Sequence, residues 1–470
     1  MNKFLKIQII STIFVFLLHS PDAFGMGDGD CMECHAKETP GIVGQWKDSK
    51  HSEAEISCID CHAAEKTDKD AFEHYGENIA VIVSPLDCAE CHETEYEEQK
   101  GSHHAKAAQI LGSLDNLLGE VIGGEPAVVA GCRQCHGSIV LIGENGKPTP
   151  ETWPNTGMGR VNPDGSLGSC SACHARHEFS VRQARQPEAC GKCHLGPDHP
   201  QIEVWNESKH GILYHANREK MNLESDLWRA GIEYFTGPTC SSCHMSAAGD
   251  QPVTHDVGER ISWTLRPPIS KKLNMVIYED GSKEDIIGEN PALPKVGTLY
   301  NNKKVESVLP WNARRGKMQE VCSQCHNDQY VNSAYKQFDD VVILYNEKFA
   351  IPAKAIIDEL KRTGEISKTD FDDPIEWTWW EIWHHEGRRA RHGAAMQGPD
   401  YTWWHGLYEV GKNFYTKFIP ELEEIVGKKK ARKLLDKYVY THPGHIWHRD
   451  GLDKKALENI KKFYEERYKQ

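Results

Sequence analysis

Cys170-Ser-Ala-Cys-His174 is followed closely by Cys190-Gly-Lys-Cys-His194, and the same Cys-x-x-Cys-His pattern stands at six other places in the chain. Those copies are Cys31/Cys34/His35, Cys58/Cys61/His62, Cys88/Cys91/His92, Cys132/Cys135/His136, Cys240/Cys243/His244 and Cys322/Cys325/His326. Together the eight use all 16 cysteines. A Cys-x-x-Cys pair alone suits zinc or dithiol chemistry, but a histidine directly after it is the mark of c-type haem attachment. The two thiols become thioethers to the porphyrin and the histidine binds the iron. No thiol remains for a disulfide framework, a catalytic cysteine or a zinc site. The pattern therefore predicts eight covalently bound haem c groups in a mainly α protein of short, haem-wrapping helices and loops. A hydrophobic content of 39% is low for one packed core, and eight porphyrins would supply apolar interior in its place.

At the N-terminus, Lys3 and Lys6 precede an apolar run from Ile9 to Leu18, and Ala23-Phe24-Gly25 offers small residues for cleavage. Residues 1–25 read as a secretory signal peptide, and the run is too short to span a membrane. The expected compartment is periplasmic or otherwise extracytoplasmic, with no integral membrane anchor. Loss of that leader removes two lysines and one aspartate, taking the formal charge from −14 to −15. So acidic a chain lacks the basic face that nucleic acid requires. A small redox carrier such as a cytochrome c, or a small substrate, is the expected partner.

Seven pentads crowd into 31–244, the eighth lies at 322–326 and none follows. This shift predicts a haem-binding catalytic part over 26–330 and a C-terminal helical, bundle-like part over 331–470. Gly143–Asp164 and the proline-containing Arg266–Pro294 read as loops. Asp373 and Pro374 supply an N-cap and a first-turn proline for a helix over Ile375–Met396. Gly364 stands where a helix ending at Lys361–Thr363 would place its C′ residue. Ile351–Arg362, Asn413–Val426, Lys428–Tyr438 and Lys454–Lys469 carry helical spacing.

A looser repeat accompanies the pentads. Trp46-Lys-Asp-Ser-Lys-His51 precedes the second, Trp205-Asn-Glu-Ser-Lys-His210 precedes the seventh, and Gly101-Ser-His-His104 is a weaker third copy. A histidine carried just upstream of a pentad suits the distal side of another haem, whereas the bland alternative is a surface histidine beside a lysine. Six of the 13 tryptophans lie in Trp377–Trp404, among His384, His385, His392 and His405. That cluster reads either as an aromatic core or as a source of further ligands, with His385, His392 and His405 the named candidates. An iron bound by two histidines passes electrons only, whereas one lacking a distal ligand can bind substrate.

The distribution of pentads, the segment Arg314-Arg-Gly-Lys-Met-Gln-Glu-Val-Cys-Ser-Gln-Cys-His326 and the stretch through Tyr401-Thr-Trp-Trp-His-Gly406 resemble the octahaem hydroxylamine oxidoreductases, a family that includes hydrazine dehydrogenases. The central segment also resembles pentahaem ammonia-forming nitrite reductases. Those carry His-Pro-Glu-x-x-x-Trp ahead of Cys-x-x-Cys-His-Met; here Asp198-His199-Pro200-Gln-Ile-Glu-Val-Trp205 precedes Cys240-Ser-Ser-Cys-His-Met245. The resemblance implies that the fourth haem, on Cys132, Cys135 and His136, is five-coordinate and binds substrate. It further implies that Asp198 and His199 accept protons, a role suited to a carboxylate and an imidazole. His210 and His255 become distal ligands. A tyrosine from a neighbouring subunit, Tyr401 or failing that Tyr408, would be cross-linked to the catalytic haem, which implies a homotrimer. The expected activity is oxidation of hydroxylamine or hydrazine; reduction of nitrite or hydroxylamine to ammonia is the alternative, and a non-catalytic electron conduit the second.

Overall fold

The computed structural model describes residues 28–112 and 118–469; the expected leader lies outside them. Helices dominate, and the pentads sit on very short ones that are held by their caps. Ahead of Cys58–His62, the Ser57 backbone N–H and Oγ donate to Asp60 at 2.8 and 2.7 Å. Ser84 accepts from the N–H groups of Leu86 and Asp87 ahead of Cys88, and Thr239 accepts from Ser242 ahead of Cys240–His244. Helices this short are unstable on propensity alone, so capped donors and the packing around each motif must hold them.

Six strands interrupt the helices among the described residues. β1 (Phe72–His74) and β2 (Glu77–Ile79) form a hairpin whose turn residues Tyr75 and Gly76 both have positive φ, 52° and 98°, as a type I′ turn demands. β3 (Leu273–Tyr278), β4 (Lys283–Ile287), β5 (Leu299–Tyr300) and β6 (Lys303–Leu309) form an antiparallel sheet in the order β4-β3-β6-β5. The loop expected over Arg266–Pro294 is thus corrected to a hairpin flanked by loop. Leu273-Asn-Met-Val-Ile-Tyr278 is apolar and almost wholly buried, Asp280-Gly281 makes the turn, and the prolines fall outside the strands. The prolines outweighed the apolar run in the sequence reading, although such a run with β-branched residues favours a buried strand.

After the eighth pentad the regular elements among the described residues are all helices, around a core drawn from Tyr345 to Tyr440. Ile351–Thr363 ends on Gly364 at φ 74°, the left-handed cap that glycine accepts without strain. Asp373 is extended, Pro374 opens the next helix, and that helix continues to Met396 through a π segment at Glu381–Glu386. Two buried arginines lock it to the haem part. Arg391 donates to Pro267 O (2.9 Å) and Ser270 Oγ (2.7 Å), and Arg388 Nε donates to Arg266 O (2.8 Å). Among the described residues, no helix is long and apolar enough to cross a membrane.

Candidate active site

The three Ser-x-His repeats share one local device. Ser49, Ser102 and Ser208 each donate to the carbonyl three residues back (Trp46, Gln99 and Trp205) at 2.6, 2.6 and 2.7 Å. Each then accepts a backbone N–H three residues ahead. Trp46 and Trp205 fix the approach by donating to Ile56 O and Pro238 O. In every copy the histidine two residues after the serine is carried to a pentad. His51 stands opposite His92 with ring centres 6.2 Å apart, His104 opposite His194 at 6.1 Å, and His210 opposite His326 at 6.1 Å.

Two further pairs escaped the sequence reading. His74, on β1, stands 6.2 Å from His35, and His177 stands 6.4 Å from His62. His255 neighbours His174 closely enough to help hold that imidazole down, after burial as the main cause, to about 4. His104 and His194 are likewise pushed down to about 4, chiefly by burial, so these rings are neutral, as metal ligation requires. The motif histidines also have their other nitrogen secured. Nδ1 of His62, His136 and His244 meets the carbonyls of Ala80 (2.8 Å), Ala107 (3.2 Å) and Val257 (3.1 Å), and that of His35 meets Thr39 Oγ1 (2.8 Å). Such anchoring leaves Nε2 for a metal.

The facing pairs test the haem reading directly. Two imidazoles sharing one metal place their ring centres about 6.3 Å apart, from a metal–nitrogen bond of roughly 2.0–2.1 Å and about 1.1 Å more to each ring centre. Five motif histidines meet that spacing to within 0.2 Å. The residues present fit haem iron.

The motifs also adjoin one another in a definite order. The helix carrying the first packs on that carrying the second. Cys61 neighbours Cys91, Cys88 meets Cys170, Cys173 neighbours Cys190, Cys190 meets Cys240, and Cys243 neighbours Cys322. Burial and the adjacent Cys135 push the Cys193 thiol up to about 12. Once the cysteines are thioethers those protons are gone, but the adjacency remains. Motifs one, two, three, five, six, seven and eight form a line, and the fourth branches from the sixth.

The cysteines are not equally enclosed. Cys34, Cys91 and Cys325 are exposed, and the others are partly covered. Cys34 lies on the helix Asp28–Glu38, whose described residues hold no buried side chain, and its motif adjoins a neighbour on one side only. A thioether at Cys34 would therefore hold a haem edge at the surface, as Cys325 would at the opposite end of the line.

At the branch lies the Asp198–His199 pair. His199 Nδ1 bonds the Asp198 carboxylate, and its Nε2 lies 3.0 Å from the carbonyl of Cys193, the cysteine that adjoins Cys135. The C-terminal helix closes over the carboxylate. Arg388 Nη1 donates to Asp198 Oδ2 at 3.3 Å, and His384 Nε2 stands 3.9 Å from the same oxygen, with its ring stacked on Trp380 at 3.7 Å. Burial alone would raise the Asp198 carboxyl, but the hydrogen bond from His199 and the charges of His199, His384 and Arg388 outweigh it and hold it near 2. Burial would lower His199; bonding to Asp198 prevails and raises it. His384 and Arg388 were not singled out in the sequence, because nothing local marks a helix residue that meets a loop almost 200 positions earlier.

The other named residues sit apart from the motif histidines or beside this cluster. Partly buried His392 is pushed down to about 3, first by desolvation and then by Arg391, Arg388, His199 and His194. His385 is lowered by burial, with Asp198 and Arg389 close by. His405 is half exposed, 3.4 Å from Asp400 and 3.9 Å from Glu409, and faces no motif histidine. Tyr401 packs 5.6 Å from His405 and its backbone N–H donates to the Glu207 carboxylate, while Tyr408 is exposed against Trp404. Among the described residues no imidazole ring stands opposite His136, His174 or His244 at the spacing of the five pairs.

Comparison with known proteins agrees with this geometry. Residues 154–287 match the family described as "Seven times multi-haem cytochrome CxxCH", and 83–195 match "Cytochrome c3". A probable nitrite reductase-hydroxylamine oxidoreductase fusion protein of Kuenenia stuttgartiensis is 25% identical over 84% of this chain; the chain spans about half (51%) of that relative's length. A solved "hypothetical multiheme protein" superposes with a TM-score of 0.68 at 26% identity, covering 87% of this chain and 95% of its own. The Kuenenia stuttgartiensis "reducing HAO-like protein complex Kustc0457/Kustc0458" shares the fold, with a TM-score of 0.58 at 19% identity over 87% of this chain and 85% of that one. The chain is a multihaem c-type cytochrome. Within that class it is similar, over 84% of its length, to the nitrite reductase-hydroxylamine oxidoreductase fusion protein.

Proposed function

We propose that this protein is an extracytoplasmic oxidoreductase of small nitrogen compounds, with eight covalent haem c groups and substrate bound at the fourth. The supporting observation is the setting of His136. Its Nδ1 is anchored on Ala107 O and its motif adjoins the cysteine whose carbonyl meets His199; like His174 and His244, it has no imidazole opposite it at the spacing of the five pairs among the described residues. The seven other motifs, strung in one line past this branch, suit transfer of electrons to a small redox carrier. A haem iron with one free face supplies the seat for substrate nitrogen and the first electron acceptor. The protein's own part is to hold Asp198 as a carboxylate, to orient His199 through it, and to keep a proton-carrying imidazole beside that seat.

Hydroxylamine or hydrazine oxidation is the leading reading, with Tyr401 of a neighbouring subunit cross-linked to the catalytic haem in a homotrimer. One observation favours the reverse direction, reduction of nitrite or hydroxylamine. Both His199 nitrogens face acceptors, so the ring satisfies them only as an imidazolium, a proton donor. A denaturing gel stained for haem separates the two. A haem still joining chains after denaturation supports oxidation; single chains alone support reduction. If hydroxylamine perturbs no haem band, the protein is an electron conduit and the enzymatic reading fails.

A further inference from the structure

The loop after the fifth motif ties three motifs together through one residue, Phe179. In His174-Ala-Arg-His177-Glu-Phe179, the fifth motif's own histidine stands three residues before His177, which faces the second motif. Phe179 closes the loop by donating its backbone N–H to Ala175 O at 2.9 Å, and Ser180 then caps the helix Val181–Ala184. The Phe179 ring meets two distal imidazoles, His51 at 5.2 Å and 75° and His177 at 6.3 Å and 84°. Both are edge-to-face contacts of the usual spacing. The two imidazoles belong to different sites, since His51 faces the third motif and His177 the second. The Phe179 backbone also hydrogen-bonds the His174 imidazole, which opposes the lowering by burial there. Phe179 holds a φ of 50°, in the left-handed region that a bulky side chain rarely enters. A phenylalanine that only fills space has no need of such a backbone, and strain of this kind persists where the surroundings over-determine it.

We propose that Phe179 is a positioning residue for the second and third haems at once: from one strained loop position its ring fixes the orientation of both distal imidazoles, His177 and His51. The inference rests on the haem reading of the facing pairs and not on where substrate binds. The second and third motifs adjoin through Cys61 and Cys91, so every electron passing along that arm of the line crosses both sites. The groups that touch a ligating imidazole set its orientation and tune the metal. A contact shared by two such rings makes both irons answer to a single substitution.

The test is electron paramagnetic resonance of the purified ferric holoprotein, where the g-values of a two-imidazole iron report the angle between its ring planes. His177→Ala and His51→Ala each remove one low-spin signal, which assigns the second and third haems. Phe179→Gly deletes the ring while accepting the positive φ. Both assigned signals should then shift, and the remaining low-spin signals should stay where they are. Phe179→Tyr keeps the ring and should leave the wild-type spectrum. Phe179→Leu keeps apolar bulk without an aromatic edge; it should also shift both signals, and it keeps the test available if the glycine variant misfolds. A shift of one assigned signal alone, of neither, or of every low-spin signal alike would overturn the shared role. The response of the high-spin iron to hydroxylamine tests the substrate site separately, so either reading can fail without the other.

Discussion

At the residue scale, the serines of the three Ser-x-His repeats fix where the distal imidazoles go. Ser208→Ala should cost about 1 kcal/mol, the usual worth of a helix cap. It should also loosen His210 and add a high-spin fraction at the eighth motif, read by electron paramagnetic resonance; an unchanged low-spin spectrum would show that the serine does not place the ligand. His177→Ala gives a sharper result, because the second motif would lose its facing ring outright and a new high-spin signal should appear. The Asp198–His199 pair adds a pH dependence. A depressed Asp198 contributes stability above its unfolded pKa that is lost as pH falls toward about 2. A raised His199 contributes stability below its unfolded value, lost as pH climbs past the folded one. The pair therefore stabilises most between roughly pH 4 and 6.5, the unfolded values of the two groups. Asp198→Asn should remove the fall in stability below pH ~4 and the fall above pH ~6.5 in thermal unfolding, and an unaltered profile would count against the pairing.

At the scale of elements, the helix 374–396 does two jobs from opposite faces. One face presents His384 and Arg388 to Asp198. The other buries Glu386 against Asn413, whose side chain donates at 3.0 Å, with Arg389 at 3.7 Å. Burial pushes the Glu386 carboxyl up to about 7, so the fold prefers it protonated. Stability from this group is present below its unfolded value and is lost as pH rises toward 7, by up to roughly 3 kcal/mol. Glu386→Gln should abolish that slope between pH 5 and pH 8 in denaturant unfolding followed by circular dichroism. An identical slope in the variant would show that the carboxyl is already ionised in the fold.

Much of this level was legible in the sequence. Pro374, Gly364 and the pentads gave boundaries because caps and ligands act over a few residues. The hairpin that carries His74 had the Tyr75-Gly76 turn, and the β3–β4 hairpin had Asp280-Gly281, yet neither was read as a strand pair. The Asp198–Arg388 contact was not legible, since a long-range pairing leaves no trace in local spacing. The same holds for the pairing of distal rings: the Ser-x-His pattern marks three of them, but only the fold says which motif each meets. Nor does a pentad reveal how enclosed it is, so Cys34 reads like any other haem cysteine until its helix is placed at the edge.

At the scale of the whole molecule, the order of adjoining motifs makes the sixth a junction. The fourth motif meets the line through Cys135 and Cys193, and His104 faces the sixth motif's histidine. His104→Met changes a ligand at that junction without touching Asp198 or His199. Steady-state turnover should fall several-fold while half-saturation by hydroxylamine stays as in the wild type. A change in half-saturation with turnover intact would contradict the branched order.

The most direct test is ferric electron paramagnetic resonance of the purified holoprotein, with and without hydroxylamine. The account predicts a high-spin iron that hydroxylamine converts and that disappears when Cys132 and Cys135 are replaced. A spectrum of low-spin, two-imidazole irons alone, unmoved by hydroxylamine, would contradict it.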